Sequence, residues 1–468
     1  MSKKEKNNNL NLPSDFNSMK LIKENIYAIL SQLSFFLPSV ILTLLFPLLL
    51  SVQDYGIIAL FLTLFSALTF IFDFGIMPAT VLIAKKQSYF STLFYLRLFI
   101  SLLLCTFLFY SSDLIANIYG QPQLSDLIKV GSVALFFTTF AFFFESAFIS
   151  LKKAFKGLII QLINHFGKLL SLALLSFGLI GIAYGFLIPS FLAFIVGLFM
   201  GRRYIRGFYL TDEIKEHVKS GFILESVDAV FLYFDVIVLG LFLSIEEISF
   251  YKLAILWASG FQFVMPFSHK VLTVFHATSK NFERVLKDFI KLAFLFISIG
   301  VLIANKTAFY IISFIYKPYS TSGILLSVLC FLGFEFLLNY FSYILLVGSN
   351  KISLYSKLRF LSAIVYLLFL AFVGSNLNLF DVIIFVVGIR LFLSLLIFYV
   401  ANKEVNMKLF SIVKKFILFI ILLYFISHAL PDVRDLSTFL FTLVAIPSSS
   451  LLISYFFDLL PFSLTRYL

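Results

Sequence analysis

Apolar runs of about 20 residues follow one another from residue 27 to residue 458, which is more oil than any water-soluble fold can enclose. One of them reads DYGIIALFLTLFSALTFIFD (54–73), uncharged between its two aspartates. A hydrocarbon layer about 30 Å thick is crossed by roughly 20 helical residues, so each run is long enough to span. The chain is 61% hydrophobic and 13% charged, whereas soluble domains carry about 25% charged residues. A membrane β-barrel would show alternating segments of about 10 residues, and these runs are continuous. The expected fold class is therefore an all-α integral membrane protein of about 14 helices. They are placed near 27–50, 55–84, 92–115, 129–151, 158–181, 182–201, 221–243, 250–275, 289–315, 323–348, 353–374, 379–401, 412–430 and 438–458.

The charges between the runs alternate in sign. Lys85 and Lys86, then Lys152, Lys153 and Lys156, then Arg202, Arg203 and Arg206 occupy every second connection, and Lys351 and Lys403 continue the series. The intervening connections, such as SIEEIS, are short and neutral or acidic. Because cytoplasmic loops collect Lys and Arg, both termini are expected in the cytoplasm. The basic stretch 1–26 precedes the first run without a small-residue cleavage site and reads as a retained tail, not a signal peptide. The net charge of +12 follows from these loops and gives no reason to invoke nucleic acid. Cys105 and Cys330 lie within apolar runs, so neither a disulfide framework nor a CxxC metal site is expected. The histidines have no second ligand at metal spacing, and no cofactor motif is present.

Segments of the two halves match at a nearly constant offset. VQDYGIIALF (52–61) aligns with SFYKLAILW (249–257) when Tyr55 is set on Tyr251, an offset of 196. IANIYGQPQLS (115–125) aligns with ISFIYKPYSTS (312–322) at 197, and SLKKAFKG (150–157) with GSNKISLYSK (348–357) near 198. Six helices separate the copies, so both run in the same direction, as in transporters built from a parallel repeat. The expected organisation is a tail (1–26), a first lobe (27–201), a connector (202–220), a second lobe (221–401), a loop (402–411) and two further helices with a short tail (412–468).

The stretch LLFPLLLSVQDYGIIALFLTLFSALTFIFDFGIMPATVLIAKK (44–86) resembles the N-terminal region of the polysaccharide-exporting flippases of the multidrug/oligosaccharidyl-lipid/polysaccharide exporter superfamily. The shared features are Pro47 closing the first helix, the turn Asp54-Tyr55-Gly56, and Asp73-x-Gly75 late in the second. The resemblance implies two pseudo-symmetric six-helix bundles set in a V. It also implies transfer of an undecaprenyl-diphosphate-linked oligosaccharide, such as an O-antigen or capsule unit, to the outer leaflet of the bacterial cytoplasmic membrane. A polysaccharide polymerase is the partner such a flippase would serve. The second half departs from the pattern, since His269 stands where Asp73 does in the first.

A charge at the centre of a spanning helix costs about 2.5–3.5 kcal/mol on insertion scales, so each is read as a functional residue with a partner. Near mid-depth stand Lys168, Asp235, Glu335 and Arg390; nearer the basic face stand Asp73, Arg97, Glu145, Glu225, Asp228 and Lys270; Lys252 and Lys306 lie towards the other face. At about 100° per residue, Glu225, Asp228 and Asp235 share one face of their helix within about 80°, which must meet a cavity or basic partners. Two readings stay open for Lys168 and Arg390: contact with a substrate diphosphate, or burial against Asp235 and Glu335. Arg97, Lys270, Lys252 and Lys306 are further substrate-binding candidates, and the acids are candidates for Na⁺ or H⁺ coupling or for bracing. Asp73, beside Gly75 and Pro78, fits a helix break best.

A cation-coupled drug or solute exporter on the same architecture is the alternative function. A membrane polymerase or glycosyltransferase should offer a large outer loop with clustered catalytic residues, and the longest, near 112–128, has none. The chain is therefore expected to transport and not to catalyse.

Overall fold

The computed structural model describes residues 18–84, 86–261, 282–349, 351–375, 377–407, 409–429, 433 and 436–456. Among them every regular element is helical. The long elements are α1 (Ser18–Leu49), α2 (Val52–Asp73), α3 (Tyr89–Ile118), α4 (Gln123–Ser150), α5 (Ala154–Phe177), α6 (Leu179–Gly201) and α7 (Asp212–Leu239). They continue with α8 (Ile245–Ser259), α9 (Phe282–Ile315), α10 (Ser320–Leu329 and Leu332–Gly348, bent by 42°), α11 (Ile352–Gly374), α12 (Leu379–Glu404), α13 (Phe410–Ala429) and α14 (Leu436–Phe456). Each falls on one of the stretches expected from the apolar runs. Seven are long and apolar enough to cross a membrane by themselves, and the bent α10 makes eight. The charges along α7 and the bounds of the described part of α8 leave those two outside that count.

Close packing divides the chain into two units: 1–42, 72–111 and 126–222 in the first, 43–71, 112–125 and 223–468 in the second. The first is knit by phenylalanines. Phe90 and Phe94 of α3 meet Phe140, Phe143, Phe144 and Phe148 of α4, with ring centroids 5.3 Å apart for Phe90–Phe143 and 5.4 Å for Phe94–Phe140. Gly197 of α6 lets that helix approach Phe144 where a β-carbon would not fit. The second unit centres on α9, α10, α12 and α13, where Phe294 stacks on Phe416 at 5.0 Å and Phe289 meets Phe341 at 5.8 Å. Such aromatic pairs add about 0.5–1.5 kcal/mol each beyond their burial, which matters in lipid, where apolar contact alone does not favour helix association.

Within the second unit, the start of α2 packs on the start of α8. Ser51 and Asp54 exchange bonds at the head of α2, with Ser51 Oγ donating to Asp54 Oδ2 at 2.7 Å and accepting from Asp54 N at 3.1 Å. Ser244 and Glu247 form a full capping box on α8, with Ser244 Oγ accepting from Glu247 N at 3.3 Å and Ser244 N donating to Glu247 Oε2 at 2.8 Å. Glu247 follows Asp54, and Ser244 follows Ser51, by 193 residues. The contacts are reciprocal in that register. Gln53 Nε2 donates to Glu246 Oε1 at 2.9 Å, Ser249 Oγ donates to Val52 O, and the bare α-carbon of Gly56 lies against Ile245 O. Position 52 thus meets 249 as 56 meets 245, the pattern of a two-fold axis passing between Gln53 and Glu246. The 196-residue register that put Tyr55 on Tyr251 is corrected to 193 here.

The repeat-related tyrosines 119 and 316, 197 residues apart, extend the same symmetry. Tyr119 OH donates to Ile237 O at 2.9 Å, at the end of α7, and Tyr316 OH donates to Leu44 O at 3.2 Å, near the end of α1. Ile237 follows Leu44 by 193 residues, so each tyrosine bonds the equivalent carbonyl of the other half. Burial pushes the Tyr119 phenol up to about 12, which keeps it a donor at neutral pH. Tyr319 adds an edge-on contact to Tyr55 at 5.6 Å.

Candidate functional site: buried ion networks on spanning helices

In the second unit, three helices deliver charge to one point and a fourth adds a hydroxyl. Arg390 of α12 donates from Nε (3.1 Å) and Nη2 (2.8 Å) to Glu335 Oε2 on α10, and its Nη1 stands 3.9 Å from Asp235 Oδ2 on α7. Tyr251 OH of α8 donates to the same Asp235 oxygen at 2.7 Å, and Asn339 Nδ2, one turn after Glu335, donates to its other oxygen at 2.8 Å. The guanidinium lies 5.7 Å from the ring centroid of Tyr366 and 5.9 Å from that of Phe231. Arg390, Glu335 and Asp235 are each no more than 2% exposed. Removing three charges from water is tolerable only because each is hydrogen-bonded. Two carboxylates share one guanidinium, and the Lys252 ammonium of α8 also interacts with Asp235.

One level away, Arg359 Nη2 of α11 donates to Asp228 Oδ1 at 3.2 Å, and its guanidinium lies 4.2 Å from the Phe231 ring. Phe231 therefore has an arginine on each side, one serving Asp228 and one serving Asp235. The acidic face expected on α7 meets basic partners at these two positions. Glu225, on the same helix, is half-buried.

The first unit contains two polar clusters. At the end of α2 the helix breaks at Phe74 and Gly75, both with positive φ (51° and 74°). Asp73 Oδ2 accepts from Met77 N at 2.8 Å and so caps the short helix Ile76–Ala79 that follows. Its other oxygen binds Arg97 of α3, whose Nη1 also donates to Phe72 O at 2.9 Å. Gly75 is required twice over: its φ suits glycine, and a β-carbon would run into Val218 O and Phe222 N of α7.

The second cluster surrounds a π-helical turn, Leu162–Phe166, in the middle of α5. Glu145 of α4 accepts from Ser31 of α1 and from Gln161 Nε2. Ser190 Oγ of α6 lies 2.9 Å from Asn164 Oδ1 and 2.8 Å from Thr138 Oγ1. The Asn164 amide nitrogen and the Gln161 amide oxygen, both buried, have no hydrogen-bond partner. Lys168 is 8% exposed, with its ammonium 5.2 Å from the Phe186 ring centroid, and His165 packs on Phe142 at 5.6 Å. A π-turn of this kind often marks a functional position, because it shifts the side chains after it by about 100°.

Of the residues singled out from sequence, Asp235, Glu335 and Arg390 come together, as do Asp73 and Arg97. Asp228 is paired with Arg359 and Glu145 with neutral donors. Lys168 belongs to one unit and Arg390 to the other. Lys252 and Lys306 are half-buried on α8 and α9, while Lys270 lies outside the described residues. Sequence reasoning missed Arg359, which reads as a loop cation although it stands two turns inside α11, and it missed Tyr251, Tyr366 and Asn339. The signal for Asn339 was its place one turn from Glu335. Among the described residues no group of three His, Cys, Asp or Glu could hold a metal ion.

Comparison with known proteins gives the family. The family model described as "Polysaccharide biosynthesis protein" matches residues 48–299, more than half of the chain. Comparison with curated protein sequences gives no significant match. Among solved structures, the lipid II flippase MurJ in its inward closed conformation matches with a TM-score of 0.71 at 17% identity, over 93% of this chain and 99% of that one. An inward-facing multidrug resistance MATE family transporter of the MOP superfamily matches with a TM-score of 0.60 at 13% identity, over 82% of this chain and 94% of the other. At such identities these likenesses speak for the fold, which is that of MOP-superfamily transporters, and the 48–299 match makes the chain a member of the polysaccharide biosynthesis protein family.

Proposed function

We propose that the protein is a flippase that moves an undecaprenyl-diphosphate-linked oligosaccharide from the inner to the outer leaflet of the cytoplasmic membrane. The observation that carries this reading is the family match over residues 48–299, on a fold shared over 93% of the chain with a lipid II flippase. The physical need is plain. Each sugar hydroxyl stripped of water without a partner costs a few kcal/mol, so an oligosaccharide head crosses unaided only very slowly. A polar passage lowers that barrier while the prenyl chain stays in lipid. Two sequence repeats that meet in reciprocal contacts at α2 and α8 suit a mechanism of alternating access.

The expected substrate cations divide by their surroundings. Arg390 is committed to Glu335, and Arg97 to Asp73 and Phe72 O, so in this conformation neither is assigned to the diphosphate. Lys168, Lys252 and Lys306 stay as candidates, with Lys270 outside the described residues. A single lysine at about 4 Å from a phosphate gains about 4 kcal/mol at an effective dielectric of 20. Asp235 and Glu335, two acids that share Arg390, are the proposed sites of coupling to H⁺ or Na⁺, which would serve a drug exporter equally. Deleting the gene separates the two functions. The flippase reading expects lipid-linked sugar units to accumulate on the inner leaflet. Normal export of sugar units together with retention of a small cationic drug would establish the exporter instead.

A further inference from the structure

Two loops of the first unit, SLKKAFKG (150–157) and GRRYIRGFYL (201–210), converge on Tyr204. Lys153 Nζ donates to the Tyr204 hydroxyl and stands 5.1 Å from its ring centroid. Arg203 Nη2 donates to the same hydroxyl at 2.9 Å, with its guanidinium 4.9 Å from the ring centroid. Arg202 lies 4.7 Å from the Phe199 ring centroid and Lys156 5.6 Å from that of Phe148. Arg206 Nε donates to Arg203 O at 3.3 Å. Among the described residues no carboxylate pairs with Lys153, Lys156, Arg202 or Arg203.

Excess basic charge on this face is general, but its treatment here is not. In the second half, Lys351 of the repeat-related loop bonds Glu404 at 2.8 Å, and Arg359 bonds Asp228. In these two loops four cations rest on aromatic faces, and among the described residues no carboxylate pairs with them. Beside them Phe155, Phe199, Phe208 and Tyr209 are each at least half exposed, the last two in the non-helical segment that leads to α7. A free phosphate would satisfy the cations and leave these rings in water. A phospholipid satisfies both, with its phosphate among the cations and the rings at the acyl boundary, where aromatic residues concentrate.

We propose that these two loops form a docking site for the phosphate headgroup of an anionic phospholipid of the inner leaflet, and so hold the connector between the halves on the membrane surface. The test is titration of the detergent-solubilised full chain with phosphatidylglycerol or phosphatidylcholine, read by native mass spectrometry. Phosphatidylglycerol should bind more tightly, and Lys153→Gln and Arg203→Gln should each weaken it about fivefold, following about 1 kcal/mol per surface cation. Arg203→Lys should keep most of the preference, and Lys351→Gln should leave it unchanged. Equal binding of the two lipids overturns the proposal, as does an undiminished preference in the Lys153→Gln, Arg203→Gln double variant with an unaltered melting temperature. Displacement of phosphatidylglycerol by soluble pyrophosphate would overturn it too, by showing a simple anion site.

Discussion

At the residue scale, what each buried charge can do depends on whether it is already paired. Glu335 and Arg390 form a buried pair, so removing one partner strands the other in a low-dielectric interior. Glu335→Leu and Arg390→Met should each lower stability by about 3–5 kcal/mol, whereas the double variant should lose clearly less than the sum. Thermal unfolding in detergent checks this, and strictly additive losses would show that the pair is not coupled. Glycine offers a sharper comparison. Gly75 and Gly120 both have positive φ (74° and 62°), but only Gly75 has backbone in the way of a β-carbon. Gly120→Ala should therefore cost about 1–2 kcal/mol from the left-handed conformation alone, and Gly75→Ala substantially more. The role of Asp73 at a helix break was legible from its neighbours Gly75 and Pro78. The partners of Arg390 were not, because sequence gives a residue's depth and face but not which helices stand beside it.

At the element scale, the helices of the described residues fall on runs visible in the sequence as apolar stretches, because spanning length is set by bilayer thickness. The register of the repeat was not. Matching Tyr55 to Tyr251 misplaced it by three residues, close to one helical turn, a shift that nearly preserves the face and so keeps the apolar pattern. The chemistry at the helix start was the better guide. SVQD (51–54) and SIEE (244–247) each open a helix with a serine that accepts from the backbone N–H of an acid three residues on, and they fix the register at 193. Ser51→Ala and Ser244→Ala should cost about 1 kcal/mol each, measured by thermal unfolding. The tight place between these helices is Gly56, where a β-carbon would also lie 2.8 Å from Ile245 Cγ1 and Ser249 Oγ. Gly56→Val should force α2 and α8 apart, which a distance probe at Gln53 and Glu246 would read as a lengthened separation.

At the scale of the whole molecule, the reciprocal contacts of α2 with α8, and of Tyr119 and Tyr316 with the opposite repeat, form a clasp. If the halves part there during transport, fixing the clasp should stop it. With Cys105→Ser and Cys330→Ala as background, Gln53→Cys and Glu246→Cys oxidised together should abolish transport, and reduction should restore it. Undiminished transport in the cross-linked protein would place the moving parts elsewhere. The central claim is that the chain carries a diphosphate-linked sugar lipid across the bilayer, and reconstitution tests it most directly. In vesicles containing an undecaprenyl-diphosphate-linked oligosaccharide, the fraction open to a membrane-impermeant glycosidase should rise from about half to nearly all when the protein is present, as lipid from the inner leaflet is brought out. A fraction that stays at the value of protein-free vesicles, with the protein folded and inserted, would contradict the account.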